Sequence, residues 1–177
     1  MDRRKVLIGL PAAAALAAGA AHAQPAPSKK DLLYIELKNG RVVVQLRPDL
    51  APKHVAQIKT LAKRGFYDGI VFHRVIEGFM AQTGDPTGTG RGGSDLPNIP
   101  AEFTPTPFER GTLGMARSDS PNSANSQFFI CFKEADFLNN KYTVVGKVVS
   151  GMEFVDKITR GEPPRTPDKM IKVTVSD

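Results

Sequence analysis

The sequence predicts a mainly β domain, a closed eight-stranded antiparallel β-barrel capped by two α-helices. Eight short β-rich runs are each bounded by Gly, Pro, Asn or Asp, and only two segments show helical periodicity. About 150 residues lie outside an N-terminal leader, which suits one domain with its own core. Closure removes unpaired sheet edges, so we expect a barrel. A β-sandwich is the alternative that the same periodicity allows.

Residues 1–23 have the pattern of a secretory signal peptide. Basic residues at positions 3–5 precede an uncharged run over residues 6–21, and "AHA" at residues 21–23 offers small residues for cleavage. The run is short and is interrupted by Pro11 and Gly19, which is unfavourable for a membrane span. We expect cleavage after Ala23, export by the Sec or the twin-arginine route, and a periplasmic domain without stable membrane insertion.

Charge and cysteine content argue against nucleic-acid binding and disulfide chemistry. The leader carries three basic residues and one acidic residue, so its removal lowers the net charge from +6 to +4. The remaining basic residues are interleaved with acidic ones, and we expect no nucleic acid partner. Cys131 is the only cysteine, which excludes an intramolecular disulfide, and its place in "QFFICF" predicts a small buried side chain.

The folded domain, residues 31–177, follows a short polar tether over residues 24–30. It opens with a hairpin, because "LLYIEL" and "RVVVQL" are β-rich runs joined through Asn39-Gly40, a pair that tolerates positive φ. The next segment, residues 49–66, has helical spacing, with Pro52 in the first turn and Gly65 at its end. His54 lies in the first turns of this helix, and we expect it to be solvated.

Six further runs are predicted strands, and one further segment is a predicted helix. The strands read "IVFHRV", "FMAQTG", "TLGMAR", "SQFFICF", "TVVGKVV" and "MIKVTVS" in chain order. The helix is "GMEFVDKIT", in which apolar residues recur at a spacing of three. With the hairpin and the first helix, these segments complete the predicted eight strands and two helices.

Three familiar site patterns are present only in part. "GTGRGG" matches the G-x-G-x-x-G of dinucleotide sites, but "SDLPNIP" follows and cannot start a helix promptly, so a flexible loop is the better interpretation. Ser118 or Ser120 with Asp119 and one of His54 and His73 would suit hydrolysis, but no G-x-S-x-G elbow is present. The two histidines lack a Cys pair or an H-E-x-x-H motif, so we expect no metal site.

The segment "FHRVIEGFMAQTGD", residues 72–85, indicates a different chemistry, because Arg74 stands among large apolar side chains. A core rarely accepts an unpaired arginine, so either Arg74 reaches solvent or an apolar ligand binds beside it. Rotation about an X-Pro amide needs no nucleophile, oxidant or metal, and its barrier of about 18–20 kcal/mol arises from amide resonance. An arginine N–H and an apolar grip on the proline ring would both favour the twisted amide.

Further segments continue this pattern through the domain: "GTGRGG", "GTLGMARS", "NSQFFICF", "FLNNKYTVVGKVVSGMEFVDKI" and "IKVTVSD". Together with residues 72–85, and in this order, they resemble cyclophilin-type peptidyl-prolyl cis-trans isomerases. The resemblance implies an eight-stranded barrel capped by two helices, with the substrate in a groove outside the barrel. It also implies a rotamase that needs no cofactor and acts on X-Pro bonds of folding polypeptides, whose uncatalysed isomerisation takes tens of seconds.

Position by position, the resemblance implies that Arg74 is catalytic and that Gln82 orients the arginine and bonds the substrate. Strand alternation turns His73 to the opposite face, so we interpret it as structural, and we expect Asp85 to bond turn backbone. The implied walls of the proline pocket are Phe79, Met80, Phe129 and Leu138.

Three further positions are implied to border the groove. Gln127 lines it, Ala116 belongs to the edge on which substrate backbone pairs, and Gly88 bounds the subsite before proline. Strand alternation places Gln127 and Phe129 on one face and Phe128 on the other. One set can therefore meet the groove while the other fills the barrel.

Three positions depart from the family. Phe137 stands where many members have tryptophan, Tyr142 where they have histidine, and Arg117 where asparagine is common. The missing indole N–H argues against strong binding of cyclosporin-like macrocycles. The charge of Arg117 would favour acidic residues near the proline.

Two other function classes stay open. One is a proline-peptide binder or chaperone selected for affinity, and the other is a scaffold that uses the same fold for protein contacts. Arg74 and Gln82 favour turnover, since a binder needs only the pocket. X-Pro-containing polypeptides are the expected partners, and a monomer is the expected oligomeric state.

Overall fold

The structure, a computed structural model, describes residues 28–176. The predicted signal peptide, the first part of the tether and Asp177 lie outside the described residues, so cleavage and export stay predictions. Residues 28–30 of the tether are exposed and precede the first strand. Within the described range, no helix combines the length and the apolar character that crossing a membrane requires.

All eight predicted strands are present. The elements in chain order are β1 Leu32–Leu37, β2 Gly40–Leu46, α1 Pro52–Lys63, β3 Arg74–Ile76, β4 Met80–Thr83, β5 Thr112–Met115, β6 Phe128–Cys131, β7 Val144–Ser150, α2 Met152–Val155 and β8 Lys172–Val175. Both predicted helices occur, although α2 is a single turn of four residues. A 3₁₀ turn over Asp136–Leu138 is too short to give a periodic signal in the sequence.

The prediction of a closed barrel is wrong, because the sheet is a curled but open half-barrel. Its antiparallel order is β3-β4-β6-β5-β7-β2-β1-β8, and in the described chain the edge strands β3 and β8 do not pair with each other. Irregular backbone covers β3 instead, since Val75 and Gly161 exchange two hydrogen bonds of 2.8 Å. Just before the strand, Val71 forms a further bridge with Lys169. The edge is thus satisfied without closure. The sandwich alternative is also wrong, since all eight strands lie in one sheet.

The main hydrophobic core lies on the inner face of this sheet. β1 alternates buried with half-buried side chains, and its inward residues, such as Leu33, are fully buried. α1 packs Val55, Ile58 and Leu61 into the same core, and full burial of a side chain of this size contributes ~1.5–3 kcal/mol. The helix ends as predicted, because Gly65 adopts a φ of +69° that glycine accepts without steric cost.

His54 is fully buried, so the expectation of a solvated helix histidine is wrong. Its Nδ1 donates to Oε2 of Glu102 at 2.5 Å, and the same carboxylate accepts the backbone N–H groups of Lys53 and His54 at 3.1 Å each. Ala51, which precedes α1, offers no capping side chain, so Glu102 caps the helix from a distant loop. Burial lowers the pKa of His54, and the Glu102 carboxylate opposes that shift.

A second apolar cluster lies on the outer face of β4, β6 and β5. Within β6 the predicted alternation is confirmed, because Phe128 and Ile130 belong to the main core whereas Phe129 and Cys131 belong to the outer cluster. Burial raises the pKa of the Cys131 thiol to about 12, in agreement with a small, inert side chain. The buried members of the outer cluster are Met80, Phe108, Ala116, Phe129, Cys131, Ala135, Leu138 and Val144.

Candidate active site

One row of side chains crosses three strands of the outer face. Arg74 of β3 pairs with Gln82 of β4, and Gln82 pairs with Phe129 of β6. Directly paired residues of antiparallel strands project to the same side of the sheet, about 5 Å apart. The register therefore brings the cation, the amide and the aromatic ring into line, although Phe129 is distant in sequence from the hairpin that carries Arg74 and Gln82.

This row borders a cavity of about 660 Å³ on the outer face, here named the outer cavity. Its lining residues are His73, Arg74, Phe79, Met80, Gln82, Gly88, Thr89, Gly90, Ala116, Arg117, Phe129, Leu138, Tyr142, Glu162 and Pro163. A volume of this size falls in the range of small-ligand sites. The lining combines apolar and aromatic side chains with charged and amide groups.

Aromatic contacts shape the apolar part of the outer cavity. Phe129 stacks on Phe108 with ring centroids 5.8 Å apart, and Tyr142 meets the edge of Phe129 at 6.0 Å. Phe137 is 62% exposed and contacts Phe79 at a centroid distance of 5.3 Å. Such aromatic pairs contribute about 0.5–1.5 kcal/mol beyond their buried area, so these contacts help to hold the aromatic rings in place.

The structure brings together ten of the twelve residues that the sequence singled out. The other two lie next to the outer cavity: Gln127 lines an adjoining groove of about 590 Å³, and Phe137 lies at the rim beside Phe79. The catalytic and substrate-binding roles given to these residues stay predictions. Sequence reasoning missed Thr89, Gly90, Glu162 and Pro163, and it gave His73 only a structural role.

A chain of polar contacts runs along one side of the cavity. Arg74 donates Nε to Oε1 of Glu162 at 3.0 Å and Nη1 to Oε1 of Gln82 at 3.2 Å. Gln82 donates Nε2 to Oε1 of Gln127 at 2.9 Å, and Gln127 donates to the carbonyls of Gly90 and Gly92 at 3.0 and 2.9 Å. Each amide is thereby fixed in one orientation, which leaves its oxygen facing the preceding donor.

The glycine loop that Gln127 contacts is folded around Asp85. The Asp85 carboxylate accepts the backbone N–H groups of Thr87, Gly90 and Gly92 at 2.6–3.1 Å, which confirms its expected turn-bonding role. Burial acts to raise the pKa of Asp85, but the hydroxyl of Thr87, which donates at 2.8 Å, and these backbone N–H groups outweigh it and lower the pKa to about 2. The loop continues into irregular chain without a helix, so the structure lacks the helix start that a dinucleotide motif needs.

His73 lies against this loop near Gly90 and lines the outer cavity together with Arg74. The prediction that strand alternation turns it to the opposite face is wrong, because β3 begins only at Arg74. Its side chain is 6% exposed, and neither ring nitrogen has a hydrogen-bond partner within residues 28–176. Burial has the largest influence and lowers the pKa of His73, the Asp85 carboxylate opposes the shift, and the Arg74 cation adds to it. His73 is therefore a neutral part of the wall at neutral pH.

Arg117 and Tyr142 also line the outer cavity and contact each other. Its guanidinium lies 4.4 Å from the centroid of the Tyr142 ring. Its N–H groups donate to the carbonyls of Ser118, Asp119 and Lys141 at 2.7–3.3 Å. The guanidinium thus binds backbone carbonyls of the neighbouring loops and the ring of Tyr142. The preference for acidic substrate residues near Arg117 stays a prediction.

The patterns rejected from the sequence gain no support from the described residues. Ser118 Oγ bonds Ser123 Oγ rather than a histidine, while His54 pairs with Glu102. Across residues 28–176, no three His, Cys, Asp or Glu side chains are grouped so as to hold a metal ion. The outer cavity, by contrast, places the Arg74 guanidinium beside an apolar surface.

Comparison with known proteins agrees with this geometry. The model of the family described as "Cyclophilin type peptidyl-prolyl cis-trans isomerase/CLD" matches residues 32–175. The chain belongs to the cyclophilin family. A probable peptidyl-prolyl cis-trans isomerase of Brucella suis biovar 1 (strain 1330) is 54% identical to this cyclophilin, over 91% of this chain and 90% of the relative.

Solved cyclophilin structures share the fold. Cyclophilin AquaCyp293 from Hirschia baltica matches with a TM-score of 0.76 at 30% identity, covering 82% of this chain and 74% of its own. A Cryptosporidium parvum cyclophilin type peptidyl-prolyl cis-trans isomerase, solved in the presence of the dipeptide Ala-Pro, matches with a TM-score of 0.77 at 28% identity, covering 82% and 99%. The resemblance drawn from the motifs is confirmed: this cyclophilin is an isomerase enzyme that acts on proline-containing polypeptides.

Proposed function

We propose that the protein accelerates rotation about X-Pro peptide bonds by hydrogen bonding from Arg74 to the twisted amide, while the outer cavity holds the proline ring. The observation that carries the proposal is the position of one half-exposed guanidinium beside the apolar walls formed by Phe79, Met80 and Phe129. A cation at the mouth of an apolar cavity can meet the polar amide while the ring is buried.

Amide resonance explains why this arrangement favours turnover. The planar amide delocalises the nitrogen lone pair, and the rotation barrier of about 18–20 kcal/mol reflects its loss. In the twisted state the nitrogen carries a localised lone pair, which accepts a hydrogen bond better than the planar nitrogen does. A donor at Arg74 therefore binds the transition state more strongly than the ground state, which is the condition for catalysis.

Gln82 supports this role through its contact with Arg74. It holds Nη1 of the guanidinium at 3.2 Å and is itself held by Gln127 at 2.9 Å. A pre-oriented donor avoids the entropic cost of fixing a long side chain during the reaction. Among residues 28–176, Nη2 of Arg74 has no hydrogen-bond partner, which leaves it available to a substrate.

The competing function is a proline-peptide binder with the same cavity and no turnover. Cis-to-trans relaxation of an Ala-Pro peptide distinguishes the two, measured with residues 24–177 and with the Arg74→Ala variant. We expect the native protein to accelerate relaxation and Arg74→Ala to lose about 100-fold in kcat/KM. Binding of the peptide without acceleration would favour the binding module.

A matched control removes an arginine that lies away from the cavity. Arg64 pairs with Asp95 at 3.4 Å on the surface and does not line the outer cavity. We expect Arg64→Ala to keep native activity. If Arg74→Ala and Arg64→Ala both relax the peptide at the native rate, the catalytic assignment of Arg74 is wrong.

We further propose that the enzyme works on folding proteins in the periplasm. The support for the location is the leader pattern of residues 1–23. The support for a role in folding is that uncatalysed isomerisation of X-Pro bonds takes tens of seconds, which is slow enough to limit the rate of folding. Expression of the full chain in a Gram-negative host, followed by fractionation and N-terminal sequencing, tests this. We expect a periplasmic protein that starts at Gln24, and an uncleaved protein retained in the cytoplasm would contradict it.

A further inference from the structure

The loop after α2 delivers an acidic side chain to the outer cavity. Gly161 exchanges two backbone hydrogen bonds of 2.8 Å with Val75, the neighbour of Arg74 on the edge strand β3. Glu162 is the next residue, so this bridge fixes its backbone beside the arginine. The contact cannot be read from the sequence, because Arg74 and Glu162 are 88 positions apart.

Arg74 is held on two sides by partners from different segments. Nε donates to Glu162 at 3.0 Å, while Nη1 donates to Gln82 at 3.2 Å. The side chains of Arg74 and Glu162 are 44% and 55% exposed, so their ion pair adds little to stability. Two hydrogen bonds from different nitrogens do, however, define the plane of a guanidinium.

We propose that Glu162 is a positioning residue that holds the Arg74 guanidinium so that Nη2 faces the substrate amide. The inference rests on the proposed function, in which Arg74 is the hydrogen-bond donor to the twisted amide. With Glu162 removed, only Gln82 holds the guanidinium, and the long side chain samples orientations in which Nη2 turns away. Small errors in the position of a catalytic group are costly, because the donor must meet the amide nitrogen as it pyramidalises.

A neighbouring ion pair shows what a purely structural contact between the same two segments looks like. Arg160, in the loop after α2, donates Nε to Oε2 of Glu77, in the turn between β3 and β4, at 2.6 Å. Neither residue lines the outer cavity. Glu77 is therefore a matched control for Glu162, since its removal loosens the same loop without touching Arg74.

The test compares Glu162→Ala, Glu162→Gln, Glu77→Gln, Arg74→Ala and the Arg74→Ala/Glu162→Ala double variant in relaxation of an Ala-Pro peptide. We expect Glu162→Ala to lower kcat about 3- to 10-fold with KM within about twofold, because only transition-state contact is lost. Glu162→Gln keeps an oxygen acceptor for Nε and should recover about half of the lost activity or more. Glu77→Gln should match the native protein.

The double variant separates positioning from any independent effect. If Glu162 acts through Arg74, the double variant is as slow as Arg74→Ala alone, within about twofold. The NMR signal of the Arg74 Nε–H supplies a second measurement: we expect slow hydrogen exchange in the native protein and in Glu77→Gln, and faster exchange in Glu162→Ala.

Three results would overturn the inference. The first is a native kcat in Glu162→Ala, and the second is a rise in KM alone in that variant. The third is a double variant in which Glu162→Ala lowers kcat by the same factor as it does in the native protein. Failure of the proposed function looks different, because Arg74→Ala itself would then relax the peptide at the native rate. A slow Arg74→Ala with a fast Glu162→Ala rejects only the positioning role.

Discussion

Arg74 and Gln82 occupy paired positions on β3 and β4, and Nη1 of the arginine donates to Oε1 of the glutamine at 3.2 Å. The glutamine oxygen faces the arginine because the amide nitrogen is engaged by Gln127 at 2.9 Å. Gln127, which lies just before β6, therefore influences the orientation of Arg74 through Gln82. Removal of the intermediate residue is the direct way to test this relationship.

Replacement of Gln82 with alanine should release Arg74 on one side. We expect kcat/KM for an Ala-Pro peptide to fall about 10-fold, while the unfolding free energy changes by less than about 1.5 kcal/mol, because the side chain is only half-buried. Gln45→Ala is the control, since the Gln45 amide bonds the Lys30 carbonyl at 2.9 Å away from the cavity. Equal losses of activity in the two variants would contradict the predicted role of Gln82.

Replacement of Gly114 with alanine should distort the aromatic wall. A Cβ at this position would lie 2.5 Å from ring atoms of both Phe108 and Phe129, which is too close for any real contact. We expect a loss of about 1–3 kcal/mol in unfolding free energy and a several-fold rise in KM, because Phe129 must shift into the cavity.

Gly146→Ala provides the comparison for this effect. Its Cβ would meet the Gln45 carbonyl oxygen at 2.6 Å, away from the outer cavity, so it should destabilise without raising KM. Peptide kinetics together with urea denaturation measure both quantities. A native KM in Gly114→Ala would show that Phe129 does not shape the substrate site.

The Asp85 carboxylate should make the stability depend on acidity. Its pKa in the folded protein, about 2, lies below the usual 3.8, so the folded state favours the charged form. The resulting stabilisation is present above pH 4, amounts to about 2 kcal/mol, and is lost as pH falls towards 2. Urea unfolding of the native protein and of Asp85→Asn between pH 2 and pH 7 tests it. The variant should have a lower unfolding free energy at pH 7, and that free energy should fall less steeply below pH 4.

Asp95→Asn is the control for Asp85, because Asp95 is 82% exposed and makes one long contact of 3.4 Å to Arg64. It should reproduce the native pH dependence. If Asp85→Asn has the native stability at pH 7, the hydrogen bonds of the loop do not stabilise the fold as inferred.

Replacement of Glu102 with alanine should destabilise the start of α1. The change leaves the buried Nδ1 of His54 and two helix N–H groups without their acceptor. We expect a loss of about 1–3 kcal/mol in unfolding free energy, measured as a lower urea midpoint. Glu109→Ala, which removes an exposed partner of Lys147, should cost less than about 1 kcal/mol, and equal losses would argue against a capping role.

Local pattern was enough to predict the strands. Each is a short β-rich run between turn residues, and alternation along β6 correctly separated Phe128 from Phe129. Closure of the sheet was predicted wrongly. An edge strand needs hydrogen-bond partners for its backbone, but the sequence does not show whether another strand or a loop supplies them. The loop containing Gly161 covers β3 in place of another strand. His54 was misjudged for a similar reason, since its partner Glu102 comes from a loop 48 positions away.

The sequence by itself determined the strands, the two helices, the family and most residues around the outer cavity, because these depend on local periodicity and on motifs in a fixed order. Tertiary structure alone decided that the sheet stays open, that His54 is buried with Glu102, and that Glu162 contacts Arg74. Each of these outcomes depends on which distant segment supplies a partner for a backbone edge, an imidazole or a guanidinium. Such a choice is made by the packing of the whole chain, and no local pattern encodes it.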